Sequence, residues 1–157
     1  MERYAEIVAE KTGENKIWEK GAGAAGGLGF ALLSFLNAEL KSGIDTVLDI
    51  TGFDEKLKDT DLVITAEGRM DWQSAFGKVP SGVGKRCRKA GVPAAAIVGG
   101  LLKGYETIYD TGIRTVITTI NGAMNLQEAM ERSEELYRDA ASRLFRAIAC
   151  GMELNKI

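Results

Sequence analysis

Between positions 67 and 78 the chain gathers Glu67, Arg69, Asp71, Gln73 and Lys78. Glu67 and Asp71 lie four residues apart with Arg69 between them, and Lys78 follows seven residues after Asp71. Arginine grips a carboxylate bidentately, lysine neutralises phosphoryl charge, and a carboxylate holds Mg²⁺ or takes a hydroxyl proton. Two carboxylates beside two cations therefore suit a small anionic substrate and a metal-bound phosphate. Phosphoryl transfer makes these demands, because positioning and charge neutralisation do most of its catalytic work. The same spacing is equally compatible with a solvated, salt-bridged loop. A Walker A loop is absent, since GKVPSGVGKR lacks Gly-Lys-Ser/Thr at the required spacing.

Something must hold these residues in place. Leu62 to Thr65 form a short apolar run that reads as a buried strand, and the charged loop follows it. Pro80 to Ala90 reads as a helix with proline in its first turn and Gly91 as its stop, leaving Lys85, Arg86, Arg88 and Lys89 mostly solvated. VPAAAIV, Val92 to Val98, is an all-apolar second strand, and IRTVITTI, Ile113 to Ile120, a β-branched third. Asn125 caps a last helix, with Glu128 three residues on completing a capping box. Its apolar face is expected to include Leu126, Met130, Leu136, Tyr137, Ala140, Leu144, Phe145 and Ile148. Continuous apolar strands separated by helices predict a three-layer α/β fold whose parallel sheet is covered on both faces. The charged loop then sits at the carboxyl edge of the sheet, where α/β enzymes bind ligands.

The N-terminal third is glycine-rich. Tyr4, Ile7 and Val8 give a short helix that Gly13 ends. In GAGAAGGLGFALLSFLNAEL, Gly21, Gly23 and Gly26 satisfy G-x-G-x-x-G, and the residues after Gly29 are apolar almost all round, as in a buried helix. A dinucleotide fingerprint needs a buried strand before it, whereas ENKIWEK is short and charged. An NAD-binding domain is thus an alternative resting on the glycines alone. A glycine loop feeding a helix N-terminus also suits an anion, and small residues equally permit close helix packing. Residues 43–52 follow helical spacing, with a strand over Thr46 to Ile50 as the competing reading, and FDEKLKDT is a polar turn of helix.

Composition narrows the chemistry further. With 157 residues, 45% hydrophobic and 27% charged, the chain is long enough for one globular domain or for a domain plus part of another. Twenty basic against 22 acidic residues give a formal charge of −2, which offers no field for nucleic acid and no polybasic membrane patch. No histidine is present, so Ser-His-Asp and Cys-His machinery is excluded, and Cys87 and Cys150 alone make a poor zinc site. With no signal peptide in MERYAEIVAEK, both cysteines are expected as reduced thiols in a cytoplasmic protein. No apolar run approaches the ~20 residues that a membrane-spanning helix needs.

Three blocks, GAGAAGGLGFALLSFLNAELKSGID, DLVITAEGRMDWQSAFGKVPSGVGKR and GVPAAAIVGG, together resemble the C-terminal part of the bacterial type I glycerate kinase family. The family pattern runs Gly-Ala-Gly-Ala-Ala-Gly-Gly, then Ile-Thr-Gly-Glu-Gly-Arg-x-Asp-x-Gln-Ser/Thr, then Gly-Lys-x-Pro, and all three recur here in order. The resemblance covers the chain from about Gly21 onward. It implies transfer of phosphate from MgATP to D-glycerate, with ATP as substrate and Mg²⁺ as cofactor. It implies a flavodoxin/Rossmann-like half-domain over residues 51–157, preceded over residues 1–50 by the helical tail of an inserted second domain.

Carried over position by position, Asp71, Lys78 and Glu67 are the catalytic candidates, and Arg69 and Gln73 the substrate-binding ones. Gly21, Gly23, Gly26 and Gly27 are the phosphate-binding candidates. Arg69 would take the glycerate carboxylate, Asp71 the metal or the hydroxyl proton, and Lys78 the transferred phosphate. Ala66 departs from the pattern, which has glycine there, and its methyl constrains the loop. Family members are much longer and carry an Asp-Ser-Phe-Lys-Gly-Ser-like segment and an acidic, glycine-rich block that this chain lacks. The expectation is therefore a fragment with little or no kinase activity alone. The alternative is a non-catalytic α/β chain that self-associates as a homo-oligomer or swapped dimer, or complements a separate N-terminal piece.

Overall fold

A computed structural model describes residues 1–154. The chain divides into two compact units, Met1–Ser42 and a second from Gly43 onward. In the first, α1 (Glu2–Thr12) ends at Gly13 and α2 (Leu28–Leu36) follows the glycine segment. What precedes the glycines is a turn and not a strand, so the dinucleotide fingerprint lacks its required context. The buried face of α1 is Ala5 and Val8, which pack with Ala22 and Phe30, whereas Tyr4 and Ile7 are largely exposed. Tyr4 instead meets the Phe30 ring edge-on at 5.4 Å. The expectation of a helix buried all round fails for α2: Phe30 is fully buried, but Leu28, Phe35 and Leu36 are exposed. A unit this small has too little chain to cover both sides of a helix.

The second unit carries the parallel sheet. Its order is α3 (Gly43–Ile50), α4 (Phe53–Lys56), β1 (Val63–Glu67), α5 (Val79–Ala90), β2 (Ala94–Val98), β3 (Ile113–Thr118), α6 (Leu126–Glu131) and α7 (Ser133–Leu154). Residues 43–50 are thus helix, as their spacing predicts, and not strand. The strands lie in the order β1-β2-β3, all parallel, with Val63 opposite Ala94 and Ala96 opposite Val116. Pro93 explains why β2 starts later than the apolar run: it has no N–H to give the ladder, although its carbonyl still accepts from Val63 N–H at 3.0 Å. β1 in turn runs further than expected, to Glu67.

Every residue of β2 is buried, and successive residues serve opposite layers. Ala94, Ala96 and Val98 pack with Leu48 of α3 and Val83 and Cys87 of α5. Ala95 and Ile97 pack with Ala140 and Leu144 of α7. Burying each larger aliphatic side chain stabilises the fold by about 1.5–3 kcal/mol, which is why the central strand can be apolar throughout.

Two helices differ from their expected form. Asn125 does cap α6, its Oδ1 accepting from Glu128 N–H at 2.9 Å. The Glu128 carboxylate does not complete the capping box, because it accepts from Arg132 Nη1 at 2.9 Å. Arg132, at φ −97° and ψ 15°, also binds Glu135 and separates α6 from α7, so the expected single helix is two. On α5, Arg86 is not solvated: its guanidinium donates to Asp49 at 2.6 Å and Asp54 at 2.7 Å, tying α5 to α3 and α4.

Both cysteines are free thiols, Cys87 buried and Cys150 exposed. Burial pushes the Cys87 thiol above its ordinary value, so near neutrality it stays protonated and unreactive. A disulfide-exchange thiol reagent should therefore titrate Cys150 alone in the native protein and both cysteines after denaturation. Fast reaction at Cys87 before unfolding would contradict this burial. Among the described residues no helix is long and apolar enough to cross a membrane.

Candidate active-site edge and its family

Glu67 ends β1, so it stands on the last rung of the strand and not in the loop. Its Oε1 accepts from Gly68 N–H at 3.2 Å. Beyond it the chain does not drift into solvent. Met70 is fully buried, and its strand-like bridge to Leu101 is closed by Met70 N–H to Gly100 O and Leu102 N–H to Met70 O, each 2.9 Å. This anchor holds the segment in which Arg69 stays exposed and Asp71 is half-buried. Gly99 makes the approach feasible: a Cβ there would lie 2.4 Å from Gly68 O, so no larger residue fits between the ends of β1 and β2.

Asp71 caps a one-turn 3₁₀ helix, Trp72–Ala75. Its Oδ1 accepts from Gln73 N–H at 2.9 Å and from the Ser74 hydroxyl at 3.4 Å, while Ser74 Oγ accepts from Asp71 N–H at 3.0 Å. Ser81 holds the next corner, its Oγ accepting from Gly77 N–H at 3.2 Å and donating to Lys78 O at 2.9 Å. Lys78 is the N-cap of α5, and its Nζ lies 3.7 Å from Asp71 Oδ1. A cation at the positive end of a helix dipole is mildly unfavourable by itself, and both it and the dipole favour an anion placed there.

The structure therefore brings Asp71 and Lys78 into an ion pair. Lys78 and Glu67 also line one depression of about 340 Å³ with Gly77, Val79, Ile44 and Val47. Arg69 and Gln73 are exposed, and their side chains make no hydrogen bond or ion pair among the described residues. Gly21, Gly23, Gly26 and Gly27 lie in the first unit. There Gly29, in the first turn of α2, packs against the glycine segment, since a Cβ at Gly29 would meet Gly21 O at 2.2 Å, and Phe30 N–H donates to Ala22 O at 2.8 Å. Close packing is thus one reason for glycine in this segment. Ala25 stands at φ 50°, a conformation that costs an L-residue roughly 1–2 kcal/mol. No group of three or more His, Cys, Asp or Glu side chains placed to hold a metal occurs among the described residues.

The supporting hydroxyls, Ser74 and Ser81, were missed in the sequence, although Asp71-x-x-Ser74 is a recognisable capping spacing.

A family model described as the glycerate kinase family matches residues 1–149. The chain belongs to the glycerate kinase family. It is 44% identical over 138 residues to a glycerate kinase of Halalkalibacterium halodurans, covering 88% of this chain and 36% of that protein. It is 37% identical over 152 residues to the glycerate 2-kinase of Escherichia coli K12, covering 97% of this chain and 40% of that protein. Among solved structures, a crystal structure assigned as glycerate kinase 2 from Salmonella typhimurium LT2 matches with a TM-score of 0.69 and 33% identity, over 97% of this chain and 39% of that one. The chain thus spans well under half the length of these glycerate kinases. The α/β class and the family resemblance read from the sequence both hold.

Proposed function

We propose that this segment supplies the charged wall of a phosphotransfer site that moves the terminal phosphoryl group of MgATP to D-glycerate. The observation that carries the proposal is the Lys78–Asp71 pair, 3.7 Å apart at the carboxyl edge of the sheet in a chain of this family. Arg69, exposed and without a partner among the described residues, takes the glycerate carboxylate through its two parallel donors, and Gln73 offers an amide. Lys78 neutralises the transferred phosphoryl group. The glycerate hydroxyl oxygen bonds to the γ-phosphorus, its proton passes to Asp71, and the bond from phosphorus to the bridging oxygen breaks, leaving ADP with the electron pair.

Asp71 is the carboxylate proposed to hold the Mg²⁺ of MgATP, as the alternative to its role as proton acceptor, and one or two carboxylates beside substrate phosphates suit that ion. Bound there, Mg²⁺ would add neutralisation of phosphate charge. Gly21, Gly23, Gly26 and Gly27 are the proposed backbone phosphate contacts of the first unit. Two free thiols and small anionic substrates fit a cytoplasmic enzyme.

The test is ATP- and glycerate-dependent ADP release by the intact protein that carries this segment. Asp71→Asn keeps a capping side chain and removes the charge, so it should lower kcat strongly while leaving the fold in place. Glu128→Ala, on α6, should leave kcat nearly unchanged, and equal losses at the two positions would sink the assignment.

A further inference from the structure

A second cavity, of about 400 Å³, opens at the same sheet edge and involves none of the charged residues above. Gly68, Gly99 and Thr119 contribute to it, and each immediately follows or lies just past the end of its strand, β1, β2 and β3 respectively. Because Gly68 and Gly99 bear no side chain, the edge is bare backbone at this point. The remaining walls include Met124, Ala129, Met130 and Tyr137, from the segment after β3 and from α6 and α7. Among the described residues no ionised side chain lines it. Of its neutral polar groups, the Thr119 hydroxyl donates to Gly99 O at 3.5 Å, while the Asn125 amide nitrogen, the Ser133 hydroxyl and the Tyr137 hydroxyl have no hydrogen-bond partner among the described residues.

The size lies within the roughly 300–1,000 Å³ of small-molecule sites, and an apolar lining with a few neutral polar groups is their usual composition. An anionic three-carbon acid would find no cation here. A flat, uncharged heterocycle would find a glycine edge on which to lie, adaptable methionine thioethers, and an aromatic ring. Gly68 lies between Glu67 and Arg69 in the chain, so the cavity and the charged residues share the carboxyl end of β1. We infer that the cavity is the subsite for the purine base of the nucleotide, an inference that rests on the phosphotransfer reading. It also accounts for the exposure of Met130 and Tyr137, which α6 and α7 leave uncovered.

The test uses this chain with ¹³C-labelled methionine methyls, titrated with adenosine and with ADP, and with glycerate as the control. Adenosine and ADP should shift the Met124 and Met130 methyl signals in a saturable way, while buried Met70 and distant Met152 stay put and glycerate moves none of the four. Ala129→Trp, which fills the cavity, should weaken ADP binding at least about tenfold with the far-UV circular dichroism unchanged. If adenosine and ADP leave Met124 and Met130 unmoved, or if folded Ala129→Trp binds ADP as tightly as the parent, the inference is overturned. Steady kinase activity of the intact protein alongside either of those results would remove the base subsite alone. Base binding at Met124 and Met130 without any glycerate phosphorylation would uphold the subsite and remove the phosphotransfer reading.

Discussion

Replacing Lys78 with alanine is expected to lower kcat for glycerate phosphorylation by roughly 100- to 1,000-fold in the intact protein, the usual consequence of deleting one group that meets charge developing in the transition state. The transferred phosphoryl group carries its charge on three oxygens, and Lys78 stands at the N-terminus of α5, where its ammonium and the helix dipole act on the same point. The substitution should cost the fold little. The Lys78 side chain is 40% exposed, makes no capping hydrogen bond, and its pair with Asp71 is a partly solvated one worth at most about 1 kcal/mol. Lys78→Arg should recover only part of the rate, since a planar fork does not reproduce a compact point charge. Steady-state kinetics with ATP and glycerate, read beside the melting temperature, separates the two effects. A kcat within a few-fold of the parent in Lys78→Ala would mean that the ion pair only stabilises the corner between the 3₁₀ turn and α5.

Leu144→Ala should destabilise the chain by about 2–5 kcal/mol, whereas Phe145→Ala, one residue along, should change stability by less than about 0.5 kcal/mol. Leu144 is 2% exposed and packs against Ala95 and Ile97 of the central strand, so its removal leaves a cavity between α7 and the sheet. Phe145 is 56% exposed despite its greater size. Urea unfolding followed by circular dichroism should show the Leu144→Ala midpoint falling well below the parent and the Phe145→Ala midpoint coinciding with it. Equal midpoints for the two variants would mean that α7 is not the element that seals this face.

That pair of neighbours also marks the limit of periodicity. Tyr137 and Phe145 belong to the same apolar pattern as Leu136, Ala140 and Leu144, and only the tilt of α7 over β2 decides which of them meets the sheet. The break at Arg132 was hidden for a similar reason. Locally, Asn125 and Glu128 satisfy a capping box, yet Arg132 draws the Glu128 carboxylate away, because an ion pair with two hydrogen-bonded partners outweighs a single backbone N–H. Arg86 read as solvated until α3 and α4 brought Asp49 and Asp54 beside it, residues 37 and 32 positions away in sequence.

By itself the sequence determined the class of fold, the stops at Gly13 and Gly91, the three parallel strands, the family, and the charged loop at a strand end. Each of these is written in short-range terms: continuous apolar runs, proline at a helix start, glycine at a helix stop, and motif blocks in order. Tertiary structure decided which of the loop's charges act together. Met70, pinned by the Leu101 bridge, and Ser74 and Ser81, locking two corners, turn Asp71 toward Lys78 while leaving Arg69 open to solvent. It also decided the neutral cavity at Gly68, Gly99 and Thr119. That cavity exists because three strand ends far apart in the chain share one edge, and no local pattern of residues encodes a distance between segments that meet only when the sheet has formed.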